Sequence, residues 1–175
     1  MMKKTISLLL AVLIMLSVMP AMALSRDFGS VKISEFMASN GDTLEDSFGE
    51  DPDWIELYND SDEDIDLEGL CLSDGKRTLD KFVFPAGAVL PARGYLVIFA
   101  SGLDTTTTND DGETEYHTRF KLSASGEKVV ISYQDVILDM VKFEQQEKDV
   151  SYALKDDGSW DFCHTPTPGA ANVFD

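Results

Sequence analysis

The sequence has 175 residues, of which 32 are acidic and 14 basic, a formal charge of −18 at pH 7. That length suits one domain with an adequate core and is short for two. The charge repels phosphate backbones and anionic headgroups, so nucleic acid and bare membrane are poor partners unless divalent cations intervene.

At the N-terminus, Lys3 and Lys4 precede the apolar run ISLLLAVLIMLSVMP, followed by Ala21-Met22-Ala23, the small-x-small pattern that a signal peptidase reads. From Ile6 to Val18 the run has 13 residues, against roughly 20 for a spanning helix. The sequence therefore predicts cleavage between Ala23 and Leu24 and a secreted or cell-surface product with no membrane span once the leader is gone. Removing 23 residues and two lysines leaves 152 residues with 12 basic and 32 acidic side chains, a formal charge of −20. Residues 24–30 then form a short linker, 31–172 a single domain and 173–175 a tail.

From residue 31 onward, short apolar runs at period two alternate with Gly, Pro, Asn and Asp clusters, and no segment sustains the 3.6 period of a helix. Strands are predicted at 31–38, 54–59, 69–73, 81–84, 95–100, 118–122, 128–133, 136–143 and 150–154. Such a chain is all-β, and eight or nine short strands separated by turn signals suit a sandwich or barrel. In the second strand, Ile55 and Leu57 alternate with Trp54, Glu56 and Tyr58, which assigns the aliphatic pair to the core. Pro85 to Ala88 and Pro91 to Gly94 pair a fixed φ with a permissive glycine and read as turns. The stretch SGLDTTTTNDDGETE, 101–115, lacks apolar periodicity and reads as a mobile surface loop. Gln134 and Asp135 read as the two-residue tip of a hairpin.

Seven regions in a fixed order carry a resemblance: ISEFMASN (33–40), DWIELYN (53–59), DLEGLCLSD (66–74), FPAGAVLPARGYLVIFASG (84–102), HTRFKLSASGEKVVI (117–131), DVSYAL (149–154) and DGSW with TPTPGAAN (157–160 and 165–172). Together they resemble bacterial lamin-tail domains, the immunoglobulin-like module first known from nuclear lamins and found also in exported bacterial proteins. The match covers nearly the whole chain after the leader and departs at Leu70, where the family pattern often places an aromatic after the glycine. The resemblance implies an immunoglobulin-like β-sandwich acting as a non-enzymatic accessory or interaction module, with a protein or cell-envelope partner and no cofactor. Such domains look like parts of larger exported proteins, fused to nucleases, other hydrolases or spore-coat kinase-like domains. This chain reads equally as a free-standing module or as the front piece of a longer one.

Three groups of residues are candidates for chemistry. Asp60, Asp62, Glu63, Asp64 and Asp66 crowd one connection, but an EF-hand counted from Asp60 needs Gly and Glu where Ile65 and Cys71 stand. A solvated acidic turn is the bland reading. The sharper one is an irregular Ca²⁺ site in which Asp60, Asp62 and Asp64 meet Asp42 and Asp53 from the preceding acidic loop, which makes the chain a calcium-dependent adhesion or binding module. Glu35 and Glu56 both lie inside strands and match family glutamates. Paired carboxylates serve glycoside hydrolysis, whereas strand glutamates on a sandwich more often accept backbone N–H groups or pair with Arg and Lys. The histidines add little: His117 is placed at the start of a strand, and His164 adjoins Cys163 without ligands at zinc spacing. No G-x-S-x-G elbow, P-loop or dinucleotide fingerprint is present.

Cys71 and Cys163 are the only cysteines, and an oxidising compartment allows them to pair. The period-two reading turns Leu70 and Leu72 inward and Cys71 outward. A bridge then requires Cys163 to cross that outer face on a C-terminal strap, anchored by Trp160 and kept out of any central strand by Pro166 and Pro168. The competing reading is two unrelated small apolar residues.

Overall fold

The computed structural model describes residues 25–174, so the leader and its cleavage site between Ala23 and Leu24 lie outside the described residues. The fold is all-β. In chain order the strands are β1 (Val31–Met37), β2 (Asp53–Asn59), β3 (Ile65–Asp66), β4 (Cys71–Ser73), β5 (Phe82–Val83), β6 (Val89–Leu90), β7 (Tyr95–Ala100), β8 (Thr105–Thr108), β9 (Thr114–His117), β10 (Lys128–Tyr133), β11 (Val136–Lys142), β12 (Ser151–Leu154) and β13 (Trp160–Cys163). A seven-stranded sheet runs β13-β12-β1-β2-β7-β9-β8, a four-stranded sheet runs β11-β10-β4-β5, and β3 pairs with β6 alone. Residues from both larger sheets share one core, in which Ile33, Phe36, Ile55, Leu57 and Ile98 meet Leu72, Val129, Ile131 and Val141. Of the sandwich and the barrel that the strand pattern suits, this is the sandwich that the family resemblance implies.

One irregularity in β1 places the polar features that follow. The register with β2 runs Ile33↔Leu57 and then Glu35↔Glu56, leaving Ser34 as an extra residue. A bulge of this kind changes the parity of everything after it. Val31 and Ile33 face the core before it, and Phe36 and Ala38 face the core after it. Glu35 is thereby sent to the outer face, opposite Glu56. The carboxylate of Asp139 on β11 accepts the Ile33 N–H at 3.0 Å beside the disrupted ladder.

Several boundaries differ from the sequence reading, each for a local reason. Residues 118–122 alternate as predicted, with Thr118, Phe120 and Leu122 buried and Arg119 and Lys121 exposed, yet they form no strand. The Thr118 hydroxyl instead donates to its own neighbour Phe120 O at 2.7 Å. The predicted mobile loop at 101–115 contains the β8–β9 hairpin. Threonine supplies its β-branched chemistry without apolar alternation because both faces of the edge strand β8 are polar. Asn109 closes the hairpin, its Oδ1 accepting from the N–H groups of Asp111 and Glu113. The segment read as a linker is part of the fold: Phe28 is in the core, and Ser25 exchanges backbone hydrogen bonds with Asp64 and Asp66. The tip at Gln134 and Asp135 has φ of 48° and 64°, as a two-residue hairpin turn requires.

Candidate functional site

The outer face of the seven-stranded sheet is where buried polar groups concentrate. Glu35 on β1 and Glu56 on β2 are direct cross-strand partners, and both are fully buried although they face away from the main core. The cover is the C-terminal segment after β13. Thr167 lies over Glu35, its backbone N–H donating to Oε1 at 3.2 Å and its hydroxyl to Oε2 at 3.0 Å, while Gly169 N–H donates to Glu56 Oε2 at 2.5 Å. Asn172 fixes the far end through its Nδ2, which donates to Ser34 O and Leu154 O, both at 2.9 Å. From within the sheet, Ser34 Oγ donates to Glu56 Oε1 at 2.6 Å and Ser151 Oγ donates to Glu35 Oε1. Pro166 and Pro168 keep the strap from joining a ladder, so its remaining N–H groups are available to the carboxyls.

Burial pushes the Glu56 carboxyl up to about 8, against the pull of its bonds from Ser34 and Gly169, and the nearby Glu35 raises it further. Desolvation likewise raises Glu35, opposed by Ser151 and Thr167. Two carboxyls with raised pKa values, side by side, are the raw material of acid–base chemistry. Access is what the arrangement lacks. A groove of about 690 Å³ reaches the strap at Pro168 and Gly169 and is lined by neither glutamate.

The acids proposed for calcium are divided between the two ends of β2. Asp53 opens the strand and Asp60 follows its last residue. At ~3.4 Å per residue the seven steps from Asp53 to Asp60 set them about 24 Å apart, so Asp42 and Asp53 do not share a site with Asp60, Asp62 and Asp64. Each member of the second group has a partner: Asp60 takes Lys32 and Arg93, Asp62 takes Arg93, and Asp64 accepts the Ala92 N–H at 2.8 Å. Asp53 accepts from Asn40 N–H at 3.3 Å. Among the described residues, no group of three or more His, Cys, Asp or Glu is placed to hold a metal. An asparagine organises each loop instead, Asn59 fully buried and Asn40 half-buried. Asn59 Nδ2 donates to the carbonyls of Glu63, Leu90 and Pro91, and Asn40 Nδ2 donates to those of Leu44 and Pro52.

The cysteines are thiols on different sheets. Leu70 and Leu72 are buried and Cys71 is half-buried, as the alternation predicts. The strap does not cross that face, however: Trp160–Cys163 forms β13 on the edge of the other sheet, and the Cys163 thiol donates to Thr165 O at 3.1 Å and Val173 O at 3.3 Å.

His117 ends a strand rather than starting one, in surroundings that no pattern in the chain foretells. It is fully buried between Phe99 and Phe48, with ring centroids at 5.2 and 5.4 Å. Ser101 Oγ lies 3.1 Å from Nδ1, and Glu115 Oε2 lies 3.6 Å from Nε2. Serine, histidine and acid together invite comparison with a nucleophilic triad. The 3.6 Å separation is too long for the orienting hydrogen bond, and Nε2 has no hydrogen-bond partner. The cluster fastens the loop between β1 and β2 to the hairpin, where Ser47 N–H donates to Glu115 at 3.1 Å.

These features define an immunoglobulin-like sandwich whose outer polar face is closed by its own C-terminal strap. The chain belongs to the lamin tail domain family, whose model matches residues 25–145. That family is immunoglobulin-like and generally non-catalytic. No curated protein matches the chain.

Proposed function

We propose that this chain is an exported, non-catalytic lamin-tail module that works by contact with a protein or an envelope surface. The observation that supports this most is the state of Glu35 and Glu56. They are the residues a hydrolase would use, and both lie at 0% exposure with the strap bonded to their oxygens. The leader pattern around Ala21 and Ala23 supports export, and the family supports interaction rather than turnover.

Two measurements test the reading. N-terminal sequencing of the exported protein is expected to begin at Leu24, and retention of the leader would remove export from the proposal. Purified protein incubated with nucleic-acid, glycan and phosphoester substrates is expected to turn over none. Hydrolysis abolished by Glu56→Gln would make the pair catalytic and overturn the proposal.

A further inference from the structure

The seven-stranded sheet has an open slot inside it. β9 runs parallel to β7 and pairs with it only at Ile98↔Tyr116 and Phe99↔His117. Toward the start of β7 the two strands part. Residues 95–97 have register partners on β2 on one side and none on β9 on the other. The groove of about 690 Å³ lies there. Its walls include Leu96, which packs against the main core, as well as Val97 and Phe99, which belong to the opposite face. A cleft above one face of a sheet would meet only one of these sets, so the groove opens at the strand edge itself.

Backbone direction can be read from the hydrogen bonds at either end of β7. Thr118 N–H donates to Phe99 O at 2.8 Å, so Phe99 turns its polar backbone groups toward β9. Asn59 N–H donates to Gly94 O at 3.0 Å, so Gly94 turns its carbonyl toward β2. Along an antiparallel ladder alternate residues point the same way. Tyr95 therefore directs its N–H and C=O groups into the slot and Val97 its N–H, while the Val97 carbonyl is turned to β9 by the parallel bridge Ile98↔Tyr116. Unpaired edge groups of this kind are templates for an added strand. The charged residues that line the slot are Glu45, Glu113 and Glu115, all acidic, and Glu45 and Glu113 stand exposed.

We propose that this slot is a docking site for an extended basic segment of a partner protein, which pairs with Tyr95 and Val97 and sets lysine or arginine side chains against Glu45 and Glu113. The inference rests on the interaction reading above and names its surface and the chemistry of its partner. Backbone pairing supplies the fit, and the acidic rim selects the charge.

The test uses the full chain and the peptide acetyl-Lys-Val-Lys-Thr-Lys-Val-amide, followed through backbone amide resonances. Binding is expected to shift Tyr95, Val97, Thr114 and Glu115 and to slow hydrogen exchange at Tyr95 and Val97. A peptide of the same charge with alternate backbone nitrogens methylated is expected to lose that protection. The doubly substituted E45K/E113K protein, checked for an unchanged thermal midpoint, is expected to bind at least about tenfold more weakly. Three results overturn the slot: no binding, equal binding of the methylated peptide, or shifts centred on the exposed apolar residues Val136, Ile137 and Leu138 or on the acidic turn at residues 60–66. If the double variant misfolds, the methylated peptide alone decides. Failure here with no substrate turnover removes the slot and leaves the non-catalytic reading intact, whereas turnover counts against that reading whatever the peptide does.

Discussion

Glu35 and Glu56 have hydrogen-bond donors for partners and, among the described residues, no ion pair, whereas Asp60, Asp62 and Asp66 lie near the surface beside Lys32, Arg93 and Arg26. The same functional group responds in opposite directions. Desolvation holds the buried pair above the ordinary glutamate range. The Lys32 hydrogen bond draws Asp60 below its ordinary value, and the Glu68 N–H, with help from Arg26, does so for Asp66. Density of acids along the sequence therefore points to the wrong region. The crowded turn is an ordinary ion-paired surface, and the two isolated glutamates carry the unusual energetics.

The largest expected effect follows from Glu56. An unfolded glutamate ionises near 4.5 and the folded one near 8, so between these values the folded chain keeps a proton that the unfolded chain has lost. Stability then falls as pH rises through that window and levels off above it. A difference of this size corresponds to about 5 kcal/mol at ~1.36 kcal/mol per unit. Asp60 and Asp66 contribute with the opposite sign, and only in acid, as pH falls through their lowered values. Urea unfolding from pH 5 to pH 9 therefore reads the raised carboxyls and not these two aspartates. Glu56→Gln keeps a neutral donor and acceptor in place, with Nε2 toward Ser34 Oγ and the oxygen toward Gly169 N–H, and is expected to flatten most of the slope. A wild-type profile that rises over this window, or a slope unchanged in Glu56→Gln, would refute the assignment.

Next in size is the strap. Glu35→Ala leaves the Thr167 N–H without its acceptor and confines the Thr167 and Ser151 hydroxyls to their second acceptors, Asn172 Oδ1 at 3.2 Å and Cys163 O at 3.3 Å. An unmet buried donor costs about 1–3 kcal/mol, so the loss is expected to reach about 3 kcal/mol. It should be accompanied by faster amide exchange at Thr167 and Gly169. A loss below about 1 kcal/mol, with strap amides still protected, would mean that the prolines and Asn172 hold the segment without the carboxyl.

How much of this was readable in the chain can be judged from single residues. Ile55 and Leu57 declared themselves by alternation because β2 is regular along its whole length. Glu35 did not, since the bulge at Ser34 changes parity by an event that leaves no periodic trace. The lamin-tail stretches contained the buried polar hubs Glu35, Glu56 and Asn59 and the half-buried Asn40, but a motif names residues and not their partners. Those partners are distant in sequence: Thr167 and Gly169 lie more than a hundred positions from the glutamates they bond. The β8–β9 hairpin was missed for a different reason. An edge element with two polar faces has no apolar signature to detect.

Arg93→Ala separates Arg93 from Asp60 and Asp62 on the acidic turn. Exposed pairs of this kind contribute little and are screened by salt. The expected outcome is a small drop in thermal midpoint at low ionic strength that disappears near ~1 M salt. A drop that persists in high salt would show that the guanidinium acts through packing on the neighbouring turn.

The smallest expected effect is that of calcium. A single ion bound only by the folded state at a hundredfold excess over its Kd would add about 2.7 kcal/mol, which a melting curve resolves easily. To bind at the acidic turn it would have to displace Lys32 and Arg93 from Asp60 and Asp62 and the Ala92 N–H from Asp64. It would also lack Asp42 and Asp53, which belong to the other end of β2. About six to eight oxygen ligands are normally gathered around this ion, and neither loop alone is arranged to give them. Thermal midpoints in millimolar-scale Ca²⁺ and in chelator, at matched ionic strength, are therefore expected to coincide. A rise of several degrees with Ca²⁺ that Mg²⁺ does not reproduce would require the turn to rearrange on binding, and would make the acidic surface, rather than the buried pair, the feature to explain.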